Sequence, residues 1–160
     1  MKRIKIYTCS SVKSLKPAKT QNAAVGYILV YDTPKGPVEL INTVLLHPIF
    51  EKITGNQSEL LAVILAVSRI NTECEIDLYT DSGYIGAALN NGWMENWKNN
   101  GWMNAAGGEI SNKEDWKQLD MWLSGCVVHC HVKEKHEYSL WLPEEVTKIR
   151  QYVGKSNGKK

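Results

Sequence analysis

Thr54-Gly55-Asn56-Gln57-Ser58-Glu59-Leu60-Leu61-Ala62 and Tyr79-Thr80-Asp81-Ser82-Gly83-Tyr84-Ile85 decide how the chain is read, because each places one acidic residue at the boundary of an element. From Asn56 onward the apolar residues fall at Leu60, Leu61, Ile64, Leu65 and Val67, close to the period of a helix. Asn56 is suited to cap that helix, with Glu59 three residues later to close a capping box, and the helix is expected to end near Asn71. Residues 75–80 read as a short strand. Asp81-Ser82 opens a second helix that Asn90-Asn91-Gly92 breaks. Asp81 therefore stands at the carboxyl end of a strand, where open α/β sheets place their ligands. Glu59 stands in the first turn of a helix able to run beside that end. Two carboxylates converging there suit Mg²⁺, a hard cation that takes oxygen ligands and keeps several waters, with Mn²⁺ as a substitute. The plainer alternative stays open at this point: Glu59 closes a capping box and Asp81 caps the helix that follows it.

Working outward, residues 2–8, 24–31 and 38–46 read as three strands of an antiparallel meander, with the turn Asp32-Thr33-Pro34-Lys35-Gly36-Pro37 between the last two. Toward the C-terminus, residues 93–117 carry four tryptophans and several glycines in short helical pieces. A helix over 116–123, a strand over 125–133 and a helix opened by Pro143 follow. The order β-β-β-α-β-α-α-β-α predicts an α/β fold with a five-stranded mixed sheet, antiparallel then parallel, flanked by helices. Residues 1–153 read as one domain and residues 154–160 as a disordered tail.

Hydrophobic residues are 43% and charged residues 22% of 160, as in ordinary globular proteins. No apolar run approaches the ~20 residues of a membrane span. The basic start Met1-Lys2-Arg3 lacks an apolar signal core, so a cytoplasmic location is expected, without membrane association. The net charge of +2 does not by itself point to nucleic acid. Lys13, Lys16 and Lys19, however, lie in an acid-free stretch over 10–22 that can meet phosphates. Cys9, Cys74, Cys126 and Cys130 form no C-x-x-C pair and read as free thiols. Cys126, His129, Cys130 and His131 crowd together, but strand alternation sends the cysteines and the histidines to opposite faces, which argues against zinc.

The two opening segments resemble those that carry the catalytic glutamate and the central aspartate of the type 1 ribonuclease H family. The segments Asn91-Gly92-Trp93 and Trp97-Lys98-Asn99-Asn100-Gly101-Trp102 are similar to its substrate-binding handle, and Ile6-Tyr7-Thr8-Cys9-Ser10-Ser11 to its first strand. The run Lys135-His136-Glu137-Tyr138-Ser139-Leu140-Trp141-Leu142 resembles divergent members from bacterial mobile elements. The resemblance implies a ribonuclease H-like fold and hydrolysis of the RNA strand of RNA–DNA hybrids by four acids and two Mg²⁺. Carried over residue by residue, it places Glu59 and Asp81 as catalytic metal ligands. It places Cys9 where the first aspartate stands, a soft thiol ill matched to Mg²⁺. It gives His136 the role of the loop histidine, in product release or proton relay, and Glu145 that of the fourth carboxylate ligand. Asn56, Gln57, Lys13, Lys16, Lys19, Trp93, Trp97, Lys98 and Trp102 become candidate nucleic-acid contacts, while most of the tryptophans Trp93, Trp97, Trp102 and Trp116 are expected to pack in the handle's own small core. From residue 83 to 117 three lysines (Lys98, Lys113, Lys117) face four acids (Glu95, Glu109, Glu114, Asp115), an unusually acidic handle. The expectation is a monomeric, metal-dependent endoribonuclease with activity reduced by Cys9. The alternative is a catalytically inactive module that binds nucleic acid or protein.

Overall fold

A computed structural model describes the backbone of residues 1–158 and the side chains through Ile149. Strands β1 (Lys2–Ser10), β3 (Ala24–Thr33) and β4 (Gly36–Leu45) form the expected meander. Strand β6 (Cys74–Thr80) adds to β1 in parallel, and β7 (Val127–Val132) adds to β6 in parallel. The five-stranded order is β4-β3-β1-β6-β7, so β1 lies at the centre. A small pair that the sequence reading did not anticipate, β2 (Ala18–Lys19) with β5 (Lys52–Ile53), ties the first loop to the segment before the first helix.

Alternation along the strands sorts side chains to two faces. Ile4, Ile6, Ile76 and Leu78 enter the main core, where helix α1 (Gly55–Val67) contributes Leu60, Val63, Ile64 and Val67. Helices α2 (Gly83–Asn90), α3 (Trp93–Asn99) and α4 (Lys113–Trp122) complete that layer. Tyr7 and Ile28 face the other way, against Leu142 and Val146 of α5 (Trp141–Gly158). Helix α1 is buried almost all round, as befits a helix whose apolar residues exceed one stripe. Each fully buried aliphatic side chain of this set stabilises the fold by roughly 1.5–3 kcal/mol. Gly26 lets α5 approach: a Cβ there would lie 2.8 Å from Val146 Cγ2 and 3.2 Å from Leu142 Cδ1.

Two boundaries differ from expectation in ways that matter for function. The N-cap of α1 is Thr54, whose hydroxyl accepts from the Gln57 amide, and not Asn56. The helix ends at Val67, with Ser68 as its C-cap, short of Asn71. The tail expected over 154–160 lies outside the residues whose side chains are described.

Candidate active site

Glu59 and Asp81 meet at the carboxyl ends of β1 and β6, and neither is a cap. Thr54 caps α1, and Ser82 caps α2 by accepting from the Ile85 amide. Both carboxylates are thereby released from the plain capping roles the sequence left open. Glu59 sits on the inner side of α1 and is only 7% exposed, whereas Asp81 is exposed at the strand end. Burial pushes the Glu59 carboxyl up to about 7. The Lys13 ammonium opposes that shift, the Asp81 charge adds to it, and the Ser10 amide opposes it again. Oε2 of Glu59 is buried without a hydrogen-bond partner, an arrangement costly unless a cation completes it.

Cys9, at the end of β1 and paired with Gly26, completes the near side of the site. Burial pushes its thiol up to about 11, with Lys13 lowering it and Glu59 and Asp81 raising it further. At neutral pH position 9 is thus an uncharged, soft donor. Cys9 and Leu142 pack in one apolar cluster and share the wall of a cavity of about 200 Å³ that also reaches Asp81, Glu134, His136 and Ser139. Glu145 lies one turn further along α5, where its carboxylate accepts from Lys148 Nζ at 2.9 Å. The α5 residues lining that cavity are Leu142 and Pro143, so Glu145 is not brought together with the pair.

His136 does reach the cavity, but its ring is committed. Its Nδ1 accepts from the Tyr138 amide at 3.1 Å, and the ring packs on Tyr7 with centroids 4.5 Å apart. Burial lowers its pKa. The imidazole is therefore neutral and has only Nε2–H left to offer.

Two hard carboxylates with one unpartnered buried oxygen fit a single Mg²⁺ that keeps its waters; a neutral thiol at position 9 does not fit a second. Among the described residues no three His, Cys, Asp or Glu side chains form a group able to hold a metal ion. On β7 His129 pairs with Glu75 and His131 with Asp77, while Cys130 packs toward the core.

The expected nucleic-acid contacts divide. Asn56 and Gln57 are half-exposed on the first turn of α1, with Gln57 donating to Asp115 at 3.5 Å. Lys16 and Lys19 are exposed, but Lys13 Nζ lies 3.9 Å from Glu59 Oε1. Lys98 is tied to Asp120 at 3.0 Å and to Glu95 at 3.6 Å. Trp116 is fully buried and donates its indole N–H to the Tyr84 hydroxyl at 2.7 Å. Trp97 and Trp102 are partly buried against the core, whereas Trp93 is 42% exposed. Trp93 and Trp97 line an open groove of about 540 Å³ with Asn96, Asn100 and Met103.

The sequence reading missed a polar ladder across one face of β1, β6 and β7. Arg3 donates to Asp77, Asp77 binds His131, and His131 binds Glu134 at the start of the His136 loop. Only the parallel register, unknown from sequence, aligns these residues.

A central strand flanked by one antiparallel and one parallel neighbour, with an acidic pair where β6 meets α2, defines a ribonuclease H-like protein. The RNase H family profile matches residues 1–137. A ribonuclease H of Clostridium botulinum is 35% identical over 120 residues, 75% of this chain and 74% of that protein. One from Brucella ovis is 48% identical over 67 residues, 42% of this chain and 43% of that protein. Among solved structures, LC9-RNase H1, a type 1 RNase H with the type 2 active-site motif, superposes with a TM-score of 0.65 at 20% identity, over 100% of this chain and 74% of that one. LC11-RNase H1, solved in complex with an RNA/DNA hybrid, gives 0.51 at 19% identity, over 91% of this chain and 97% of that one. The chain belongs to the RNase H family. Its class is that of ribonuclease H-type nucleases, hydrolases that generally use divalent metal ions. Among the described residues no helix is long and apolar enough to cross a membrane.

Proposed function

We propose that the chain hydrolyses the RNA strand of RNA–DNA hybrids at the Glu59–Asp81 pair, with one Mg²⁺ or Mn²⁺ and at a reduced rate. The observation that carries this reading is the pairing of an unpartnered, buried Glu59 Oε2 with the neighbouring Asp81, neither residue serving as a helix cap. A divalent ion bound there supplies charge neutralisation at the phosphate and an acidified water. The protein's own part is to hold two oxygen ligands on rigid elements and to seat the backbone. Asn56 and Gln57 on the first turn of α1 suit the sugar-phosphate edge, where the 2′-hydroxyl separates RNA from DNA. Lys16 and Lys19 add phosphate contacts and a salt dependence, and Trp93 offers a face to bases or sugars. His136 serves as a neutral Nε2–H donor toward product phosphate. The protein acts as a soluble cytoplasmic monomer.

A second reading, hybrid binding without turnover, is favoured by one observation: Cys9, packed beside Leu142, stands where the resemblance places the first aspartate, while Glu145 pairs with Lys148. A labelled RNA–DNA hybrid incubated in Mg²⁺ or Mn²⁺ separates the two. Cleavage by the wild type, lost in Asp81→Asn, supports the nuclease. Cleavage by Cys9→Asp alone, with the wild type inert but still binding hybrid, supports the binding module.

A further inference from the structure

The segment 12–14 is held against the N-terminus of α1 on both sides of Lys13. Val12 is buried beside Ala23, Ile53 and Ala62, and its amide donates to Ser10 Oγ at 3.0 Å. Ser10 Oγ in turn shares a hydrogen bond of 2.6 Å with Ser58 Oγ on α1. On the other side, the Ser14 carbonyl accepts from the Gly55 amide at 2.6 Å. The approach is so close that a Cβ on Gly55 would lie 3.1 Å from both the Val12 and the Ser14 carbonyl oxygens. Lys13 is therefore delivered to the site by a clamped backbone, although its side chain is mostly exposed. Its ammonium lies 3.9 Å from Glu59 Oε1 and acts on Cys9 as well.

We infer that Lys13 is a built-in cation which occupies the Cys9–Glu59 side of the site, so that the chain takes one divalent ion at Glu59 and Asp81 and excludes a second. The inference rests on the metal-site reading above and deepens it. Where a carboxylate at position 9 would add negative charge for a second ion, the chain offers an uncharged thiol and an ammonium whose backbone is clamped beside the site. Two cations about 4 Å apart repel strongly in a partly buried setting, so lysine and a second divalent ion are mutually exclusive there.

Ion binding tests this without reference to activity. Mn²⁺ is titrated into the wild type, Lys13→Gln, Lys13→Arg, Cys9→Asp and the double variant Cys9→Asp/Lys13→Gln, by calorimetry and by the loss of the free-ion resonance. The wild type and Lys13→Arg bind one ion per chain with similar affinity. Lys13→Gln still binds one ion, but at least about fivefold more tightly, because an opposing charge is gone. Cys9→Asp alone stays at one ion, the new carboxylate pairing with Lys13, and only the double variant binds two. Unchanged affinity in Lys13→Gln, absence of binding in both it and the wild type, or two ions bound by Cys9→Asp alone overturns the inference. Should Cys9→Asp fail to fold, the Lys13→Gln and Lys13→Arg pair decides. If the ion counts follow this pattern while no variant cleaves hybrid, the nuclease reading fails and the Lys13 assignment stands.

Discussion

The two halves of the site are built with equal care and filled with opposite chemistry. One half, where β6 gives way to α2 and α1 begins, keeps both carboxylates free of capping duty and leaves a buried oxygen of Glu59 without a partner. The other half, where β1 ends and α5 begins, sets Cys9 and Leu142 together in one apolar cluster on the wall of the cavity that reaches Asp81. The backbone keeps a regular frame here too: regular register at Cys9 and close packing of α5 at Gly26. A fold therefore preserves the place of a ligand without preserving the ligand. The acidic half stores electrostatic strain of the kind seen at functional sites, while the apolar half has exchanged that strain for packing.

The largest expected effect breaks the acidic half. Asp81→Asn keeps the shape and removes one of two hard ligands, so cleavage of a labelled hybrid in Mg²⁺ falls by about 10³-fold or more, in the range that loss of a metal's charge stabilisation costs. A variant that retains a tenth of the activity would mean that the metal, or the chemistry, lies elsewhere. The next effect repairs the apolar half. Cys9→Asp combined with Lys13→Gln restores an oxygen ligand at the first position, removes the opposing ammonium and raises the Mg²⁺-dependent rate by about tenfold or more. If the rate is unchanged although the protein folds, the two halves were never parts of one site.

The frame itself was legible in the sequence and its contents only partly so. Strand alternation over 2–8 and 24–31 and the dense apolar pattern after Asn56 specified the meander and α1, because burial period and element type are local properties. Glu59 and Asp81 were legible because each marks an element boundary. The role of Leu142 was not: a leucine near a helix start reads as core, and only the packing of α5 on Gly26 shows that it lies beside Cys9. Glu145 was favoured by its chemistry and its spacing, but one helical turn carries it away to Lys148. Lys13 read as a phosphate contact because its acid-free neighbourhood is visible in sequence while the clamp that turns it toward Glu59 is not. Tryptophan content said little by itself, since Trp116 is core and Trp93 is surface.

The burial of Glu59 also makes the stability of the fold depend on pH. The folded Glu59 carboxyl titrates near 7, above its ordinary 4.5 in an unfolded chain. A raised acid binds its proton more tightly in the native state. Ionising it therefore costs nothing below about pH 4.5, costs progressively more up to about pH 7, and costs its full amount above that. Glu59→Gln removes the ionisation and is expected to stabilise the protein at pH 8 by about 3 kcal/mol, and to be nearly neutral at pH 4, in denaturant unfolding. Added Mn²⁺ stabilises the wild type at pH 8 and not Glu59→Gln. A variant equally stable with the wild type at both pH values would show that Glu59 is comfortably solvated and carries no strain.

The smallest expected effect falls on His136, which sequence similarity nominates for proton relay and geometry assigns to the quiet half. Its Nδ1 accepts from the Tyr138 amide and its ring packs on Tyr7 and Tyr79, so it can lend one N–H and cannot readily gain a proton. Asparagine keeps an acceptor for the Tyr138 amide and an N–H donor, but cannot relay protons. His136→Asn should therefore lower kcat by less than about threefold and leave the acidic limb of the pH–rate profile in place, since that limb belongs to Glu59. General acid–base catalysis contributes about 10²-fold or more. A loss of that size, together with a missing limb, would move His136 into the working half and make the loop, rather than the carboxylate pair alone, the seat of the chemistry.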